Sequence, residues 1–229
     1  MEISPDVFIL WEWHFLKINA TIAITWVNII LLVLLSCLVT MHMKRKEDRT
    51  RGQSLLEVLV SGMEQQIKDA GLSPPRDFLP FLGTLFVFVL FSNVLSVVPG
   101  YRAPTGSLST TSALAICVFI AVPIWGIHRR GLTGFLRLYI KPSIFMLPFN
   151  ILGEVSRTLA LAVRLFGNIM SGAMIAGILL SVAPLFFPVV MQLLGLITGV
   201  IQAFIFAILT AVYIAAAVQV EQQRERENV

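Results

Sequence analysis

Largely apolar runs alternate along this chain with short polar stretches, and the runs are too long for strands or ordinary core helices. Residues 20–41 form the first run; at about 1.5 Å per residue it covers the roughly 30 Å of a bilayer's hydrocarbon core and predicts span one. Residues 42–77 carry seven Lys/Arg (Lys44, Arg45, Lys46, Arg49, Arg51, Lys68 and Arg76) against six acidic residues. Within them, 54–68 alternates polar and apolar positions at helical spacing, which predicts an amphipathic surface helix. Span two is predicted over 78–98, with Pro80 tolerable in its first turn and Pro99-Gly100 stopping it. A loop follows, with the turn-forming Pro104-Thr105-Gly106. Span three, at 111–127, is weaker and holds Pro123. His128 to Lys141 then reads as a loop with Arg129, Arg130, Arg137 and Lys141 and no acidic residue.

The remaining two runs are too long for upright spans. Residues 143–180 and 189–220 flank a break at Ala183-Pro184-Leu185-Phe186-Phe187-Pro188. As straight helices they measure about 57 Å and about 48 Å. Mean tilts of about 20° do not absorb that excess, so the pair is expected to incline strongly or kink. Pro148 is a candidate break, and Gly167, Gly172 and Gly177 permit bending or close approach. The expected fold is an all-α integral membrane protein: five membrane-embedded helices, one amphipathic surface helix, and the last two helices forming a long inclined hairpin. Residues 1–229 are read as a single membrane domain.

Composition agrees. The chain has 57% hydrophobic and only 13% charged residues, with a mean hydropathy of +0.85, which excludes an ordinary soluble fold. The net charge of +4 does not indicate nucleic acid, because the basic residues lie scattered between apolar runs. Their placement instead orients the chain. The two basic loops belong on the cytoplasmic side, opposite Lys17 and Arg102; Arg224 and Arg226 place the C-terminus inside and leave the N-terminus outside. The first run follows Glu2, Asp6 and Glu12 in place of a basic n-region, and is expected to remain as a span. Trp11, Trp13, Trp26, Trp125 and Tyr139 fall near predicted interfaces. Cys37 and Cys117 sit inside apolar runs as small hydrophobes, and His14, His42 and His128 are isolated. No metal cluster, P-loop or GxGxxG motif points to a metal, cofactor or ATP site in this chain.

The informative residues are charges inside the apolar arms. Glu154 and Arg157, three apart, share a helix face; they read either as a local ion pair or as part of an aqueous access path. Arg164 is followed by 56 uncharged positions. A buried arginine costs at least about 2.5–3.5 kcal/mol on insertion scales and does not deprotonate. It therefore either snorkels to a headgroup or meets a partner chain or water-filled cavity. Asn168 and Ser171 extend its polar stripe, beside the small residues Ala160, Gly167 and Gly172. The second arm carries Gly195, Gly199, Ala203, Ala207, Ala211 and Ala215 every fourth residue, with Gln192 and Gln202 alongside. This ridge suits packing against the first arm, and Gln202 is a candidate to hydrogen-bond Arg164 or Asn168.

Arg164-Leu165-Phe166-Gly167-Asn168 with Gly172, and Gln202-Ala203-Phe204-Ile205-Phe206 with Thr210 and Tyr213, resemble the two signature segments of subunit a of the bacterial F-type ATP synthase membrane (Fo) sector. Asn93 to Pro99, Pro104-Thr105 and Ile24-Thr25-Trp26 extend the resemblance over nearly the whole chain. The resemblance implies a non-catalytic stator channel in the bacterial inner membrane, in contact with a c-subunit ring, a b-subunit peripheral stalk and membrane lipid. Two offset half-channels would couple ion flow to ring rotation and to ATP synthesis or hydrolysis. It assigns Arg164 to the essential arginine facing the ring carboxylates, Asn168 to the asparagine one turn on, and Gln202 to the glutamine opposite. Many members carry an acid and a histidine where this chain has Ala173 and Gly195. The outer half-channel must then be lined otherwise, with Glu154 or water held by Ser171, Gln192 and Thr198 as candidates; Arg157 is a further candidate half-channel residue. The coupling ion is expected to be the proton, with a sodium-driven variant as the alternative. A secondary transporter subunit, for which no internal repeat is found, and a non-conducting scaffold are the competing functions.

Overall fold

The computed structural model describes residues 9–13, 16–43, 51–98, 101, 103–140, 145–182 and 187–218. The basic cluster Lys44, Arg45, Lys46 and Arg49, the residues Pro99, Arg102, Lys141 and Pro142, the break at 183–186 and the C-terminal Gln219, Arg224 and Arg226 lie outside the described residues. Among the described residues, six α-helices make up the body: α1 Ala20–Met43, α2 Arg51–Asp69, α3 Pro75–Leu95, α4 Leu108–Ile140, α5 Met146–Val182 and α6 Phe187–Val218. A short antiparallel pair, β1 Ile9–Trp13 and β2 Leu16–Asn19, precedes α1. This pair had no counterpart in the hydropathy pattern.

Four described helices are long and apolar enough to cross a membrane, over Pro75–Leu95, Leu108–Leu136, Met146–Ser181 and Val189–Val218. α1 contributes a shorter apolar stretch, Thr21–Cys37. Its weakest feature as a core helix is also its clearest as a membrane helix: Trp26, Val27, Ile30, Val33 and Leu34 are all exposed, where lipid, not water, is the compatible solvent.

α2 buries Met63 and Ile67 and contacts α3. Its end is set by Gly71, whose φ of 86° lies in the left-handed region that only glycine adopts freely. The Gly71 and Leu72 amides donate to the Lys68 and Ile67 carbonyls at 2.8 and 3.1 Å, satisfying the helix terminus as a C-terminal cap should. α3 then starts on Pro75, with Asp77 in its first turn, where a carboxylate complements the amino end of the helix.

The segment His128–Lys141, whose charge pattern predicts a loop, is helical as far as Ile140. The chain reverses at Gly131 (φ 72°, ψ 165°), and the return piece lays Phe135 on Gly126. A Cβ at Gly126 would stand 2.6 Å from that ring, so only glycine admits it. Trp125, expected near an interface, packs on Phe78 with ring centroids 4.5 Å apart, and Arg129 pairs with Asp77. These contacts close the end of the bundle opposite the α3–α4 connection.

α5 runs 37 residues and α6 runs 32, about 56 and 48 Å. Pro148 makes no break, because it falls in the first turn of α5, where a missing amide hydrogen is harmless. The small-residue ridge of α6 is buried from Gly199 through Ala203, Ala207, Ala211 and Ala215. Its closest approach at Gly199 is to Asn93 of α3, not to α5.

Candidate functional site

Arg164 stands near the middle of α5, between two residues that face inward. Leu161 and Leu165 are essentially fully buried against the bundle, while Arg164 is exposed and Asn168, one turn on, is half-buried. The polar stripe therefore follows the edge of the packed face. A side chain added at Gly167 or Gly172 would meet nothing within 4 Å. The small residues beside Arg164 thus leave an open strip of helix, ready for another chain, instead of receiving a neighbour within this one.

Gln202, on α6, is buried at 7% exposure, and its Nε2 has no hydrogen-bond partner. The candidate bond from the Gln202 amide to Asn168 is not formed. A buried amide donor without an acceptor is unfavourable by about 1–3 kcal/mol, which is a reason to expect a water or partner group at this position. Leu165 and Ala203 bring the two signature turns into the same core.

Toward the α3–α4 connection, a cleft of about 710 Å³ opens between α5, α6 and the connection itself. Its polar lining is Ser96, Tyr101, Asn168, Ser171, Gln192 and Thr198. Four of these are residues singled out in the sequence; Ser96 and Tyr101 are not, because a serine at a helix end and a loop tyrosine carry no distinctive spacing. Ser171 and Thr198 donate to carbonyls of their own helices, to Asn168 at 3.2 Å and Leu194 at 3.0 Å. Their oxygens thus remain acceptors. Gly195 lines the same cleft, as does Ala173. No Asp, Glu or His lines this cleft among the described residues.

Tyr101 is held at the mouth of this cleft by Asn28 of α1, whose Nδ2 donates to the phenol oxygen and also lies 3.3 Å from Ser92 Oγ. Burial pushes the Tyr101 pKa above its ordinary value, partly offset by the Asn28 hydrogen bond. The phenol is therefore neutral at physiological pH, with its own proton free to donate.

Glu154 and Arg157 lie on the other side of Arg164. Their closest oxygen–nitrogen distance is 3.8 Å, and the Glu154 side chain is the more sheltered, at 16% exposure against 53%. The Arg157 guanidinium sits 5.7 Å from the centre of the Tyr213 ring on α6, within cation–π range. Glu154 and Arg157 are thus separate from the cleft that holds Ser171, Gln192 and Thr198. No group of three or more His, Cys, Asp or Glu residues able to hold a metal ion occurs among the described residues.

The architecture is that of a multi-pass helical membrane protein with a permanent charge, Arg164, on an exposed helix face and polar surfaces on either side of it. The family model for the ATP synthase A chain matches residues 22–215. The chain is 58% identical over 222 residues to ATP synthase subunit a 2 of Acaryochloris marina, covering 97% of this chain and 95% of that relative. It is 57% identical to ATP synthase subunit a of Albidiferax ferrireducens, covering 95% and 94%. With ATP synthase subunit a 1 of Crocosphaera subtropica the identity is 50%, covering 98% and 97%. This chain belongs to the ATP synthase subunit a family of the membrane sector.

Proposed function

We propose that this chain is the stator ion channel of a rotary ATP synthase, with Arg164 as the charge that separates two offset half-channels. The observation that carries the reading is the placement of Arg164: it is exposed on an unpacked face of α5, with a neutral polar cleft ending one turn away at Asn168. In a bilayer such an arginine requires a compensating partner. The ring of c subunits, with a carboxylate on each, is the partner of the right charge and shape for a long exposed helix.

In this reading the cleft is the outer half-channel, lined by Asn168, Ser171, Gln192 and Thr198 together with Ser96 and Tyr101. Glu154 and Arg157 belong to the inner path. An ion entering through the cleft reaches a ring carboxylate, and the ring turns until that site loses its ion on the inner side. The Arg164 guanidinium attracts the emptied carboxylate without carrying protons itself, and so blocks direct passage between the half-channels. Gln202 orients the arginine or the water beside it. One elementary charge crossing 100 mV supplies about 2.3 kcal/mol, so several ions drive each ATP made. The N-terminus faces outward and the C-terminus the cytoplasm of a bacterial inner membrane. α5 and α6 form an inclined hairpin against the ring, and the b-subunit stalk and remaining complex complete the stator.

The test is ATP-driven ion uptake into vesicles containing the reconstituted complex, comparing wild type with Arg164→Ala at verified subunit incorporation. Lost uptake with assembly intact supports the reading. Undiminished coupled transport in the variant overturns it and leaves a scaffold role ahead. The ion is taken to be the proton; uptake that survives a protonophore and requires sodium would assign the sodium variant instead.

A further inference from the structure

Three buried polar groups at the α3–α4 connection are matched to one another across three elements. Asn93 of α3 is 1% exposed and Thr105 of the 3-10 turn Pro104–Gly106 is fully buried. The Asn93 Nδ2 donates to the Gly199 carbonyl of α6 at 2.9 Å, and the Thr105 hydroxyl donates to Asn93 Oδ1 at 2.8 Å. The Asn93 amide thus has both an acceptor and a donor partner. Gly199 is required for this approach, since a Cβ there would stand 2.9 Å from Asn93 Cβ.

The same turn also touches α5. A Cβ on Gly106 would lie 3.0 Å from Ile169 Cγ2, next to Asn168. The Gly199 carbonyl sits three residues before Gln202, on the neighbouring turn of α6. One rigid turn therefore abuts α5 at the residue after Asn168 and, through Asn93, grips α6 one turn from Gln202.

From this juxtaposition we infer that Asn93 and Thr105 are positioning residues for ion translocation: they set the register of α6 and its distance from α5 where Leu165 and Ala203 join the two helices in one core. The inference rests on the channel reading above, and deepens it. A buried hydrogen bond to a helix carbonyl is direction-dependent. A slide of α6 by one residue, about 1.5 Å, removes it and shifts Thr198 relative to Asn168, with which it lines the cleft. Loose hydrophobic packing against an alanine ridge imposes no such register.

The test uses the reconstituted complex carrying Thr105→Val, Thr105→Ser, Asn93→Ala or Arg164→Ala, with ATP-driven ion uptake, its dependence on external pH and passive ion leak normalised to incorporated subunit. Thr105→Val and Asn93→Ala are expected to lower uptake per assembled complex roughly 10- to 100-fold, as small displacements do in oriented sites. Both should shift the pH profile, and Thr105→Ser should restore wild-type behaviour. Uptake and pH profile per complex equal to wild type in Thr105→Val and Asn93→Ala overturn the inference. So does a loss that only tracks reduced assembly, or an equal loss in Thr105→Ser. Arg164→Ala separates the two readings: if it abolishes uptake while Asn93→Ala and Thr105→Val keep wild-type uptake, the positioning role alone fails. If it leaves uptake intact, the channel reading itself fails.

Discussion

α5 and α6 are neighbouring helices of similar length, both apolar enough to cross a membrane, yet they are used in opposite ways. In the apolar window of α6, 50% of residues are buried inside the chain, against 6% for α5. α6 is a structural member: its ridge of glycine and alanine lets α3 approach to backbone distance, and Asn93 keys the register. α5 fully buries only Leu161, Ala162 and Leu165 among its described residues and leaves most of the others partly or wholly exposed. A helix of the second kind is stable in a membrane because lipid and apolar side chains are equivalent neighbours, and it keeps its polar stripe available. What the difference teaches is that an exposed face is informative when a permanent charge lies on it. Apolar exposure alone describes α1 equally well.

The largest effect that would break this contrast is at Arg164. Arg164→Lys keeps the charge but loses the forked donor geometry and gains a group that can deprotonate, so coupled uptake is expected to fall at least about 100-fold, measured in reconstituted vesicles. Near-normal uptake would mean that charge alone, and not the guanidinium, is what the exposed face provides. Next comes the seam. Leu165→Ala should destabilise the isolated chain by about 2–5 kcal/mol, whereas Val163→Ala, on the exposed side, should stay within about 0.5 kcal/mol; thermal unfolding in detergent compares them. Equal losses would show that α5 is not one-sided.

Gly167→Leu sharpens the same point, because the added side chain meets nothing within the chain. Its isolated stability should change by less than about 1 kcal/mol, while co-purification with the ring drops. Unchanged assembly would remove the open strip from consideration as a contact surface. Gln202→Leu removes an unpartnered buried amide. The isolated chain should be as stable or more stable by up to about 1 kcal/mol, with ion uptake reduced roughly 10-fold. A clearly destabilised chain would mean that Gln202 serves packing.

The smallest expected effect is at Tyr101. Its pKa is raised in the fold, so the folded state holds the phenolic proton more tightly than the unfolded chain. That contribution is complete below the unfolded value of about 10 and declines as pH rises through the folded value. Unfolding midpoints of wild type and Tyr101→Phe should therefore diverge least below pH 9 in their pH dependence, and only wild type should lose stability from this group at more alkaline pH. Parallel curves throughout would show that the phenol does not titrate with folding.

The helical segments were legible along the chain because each apolar run is a local property: a bilayer-length stretch must satisfy its backbone internally, and only a helix does so within one segment. Arg164, Asn168 and Gln202 were legible for the same reason, as polar groups in stretches where each polar atom is unfavourable. The surroundings of these residues were not. His128–Ile140 reads as a loop by charge, and its return helix depends on Phe135 finding the bare backbone of Gly126. Ser171, Gln192 and Thr198 belong together with Tyr101, while Glu154 and Arg157 belong elsewhere; no spacing separates the two groups, since residues of α3, α5, α6 and the connection meet only when the helices pack. The sequence by itself determined that the chain crosses a membrane and which side chains do not belong there. Only the tertiary structure decided which helix buries its face, because lipid and protein are interchangeable neighbours for an apolar side chain, and the choice between them is made by backbone approach at Gly199 and by the hydrogen bonds of Asn93.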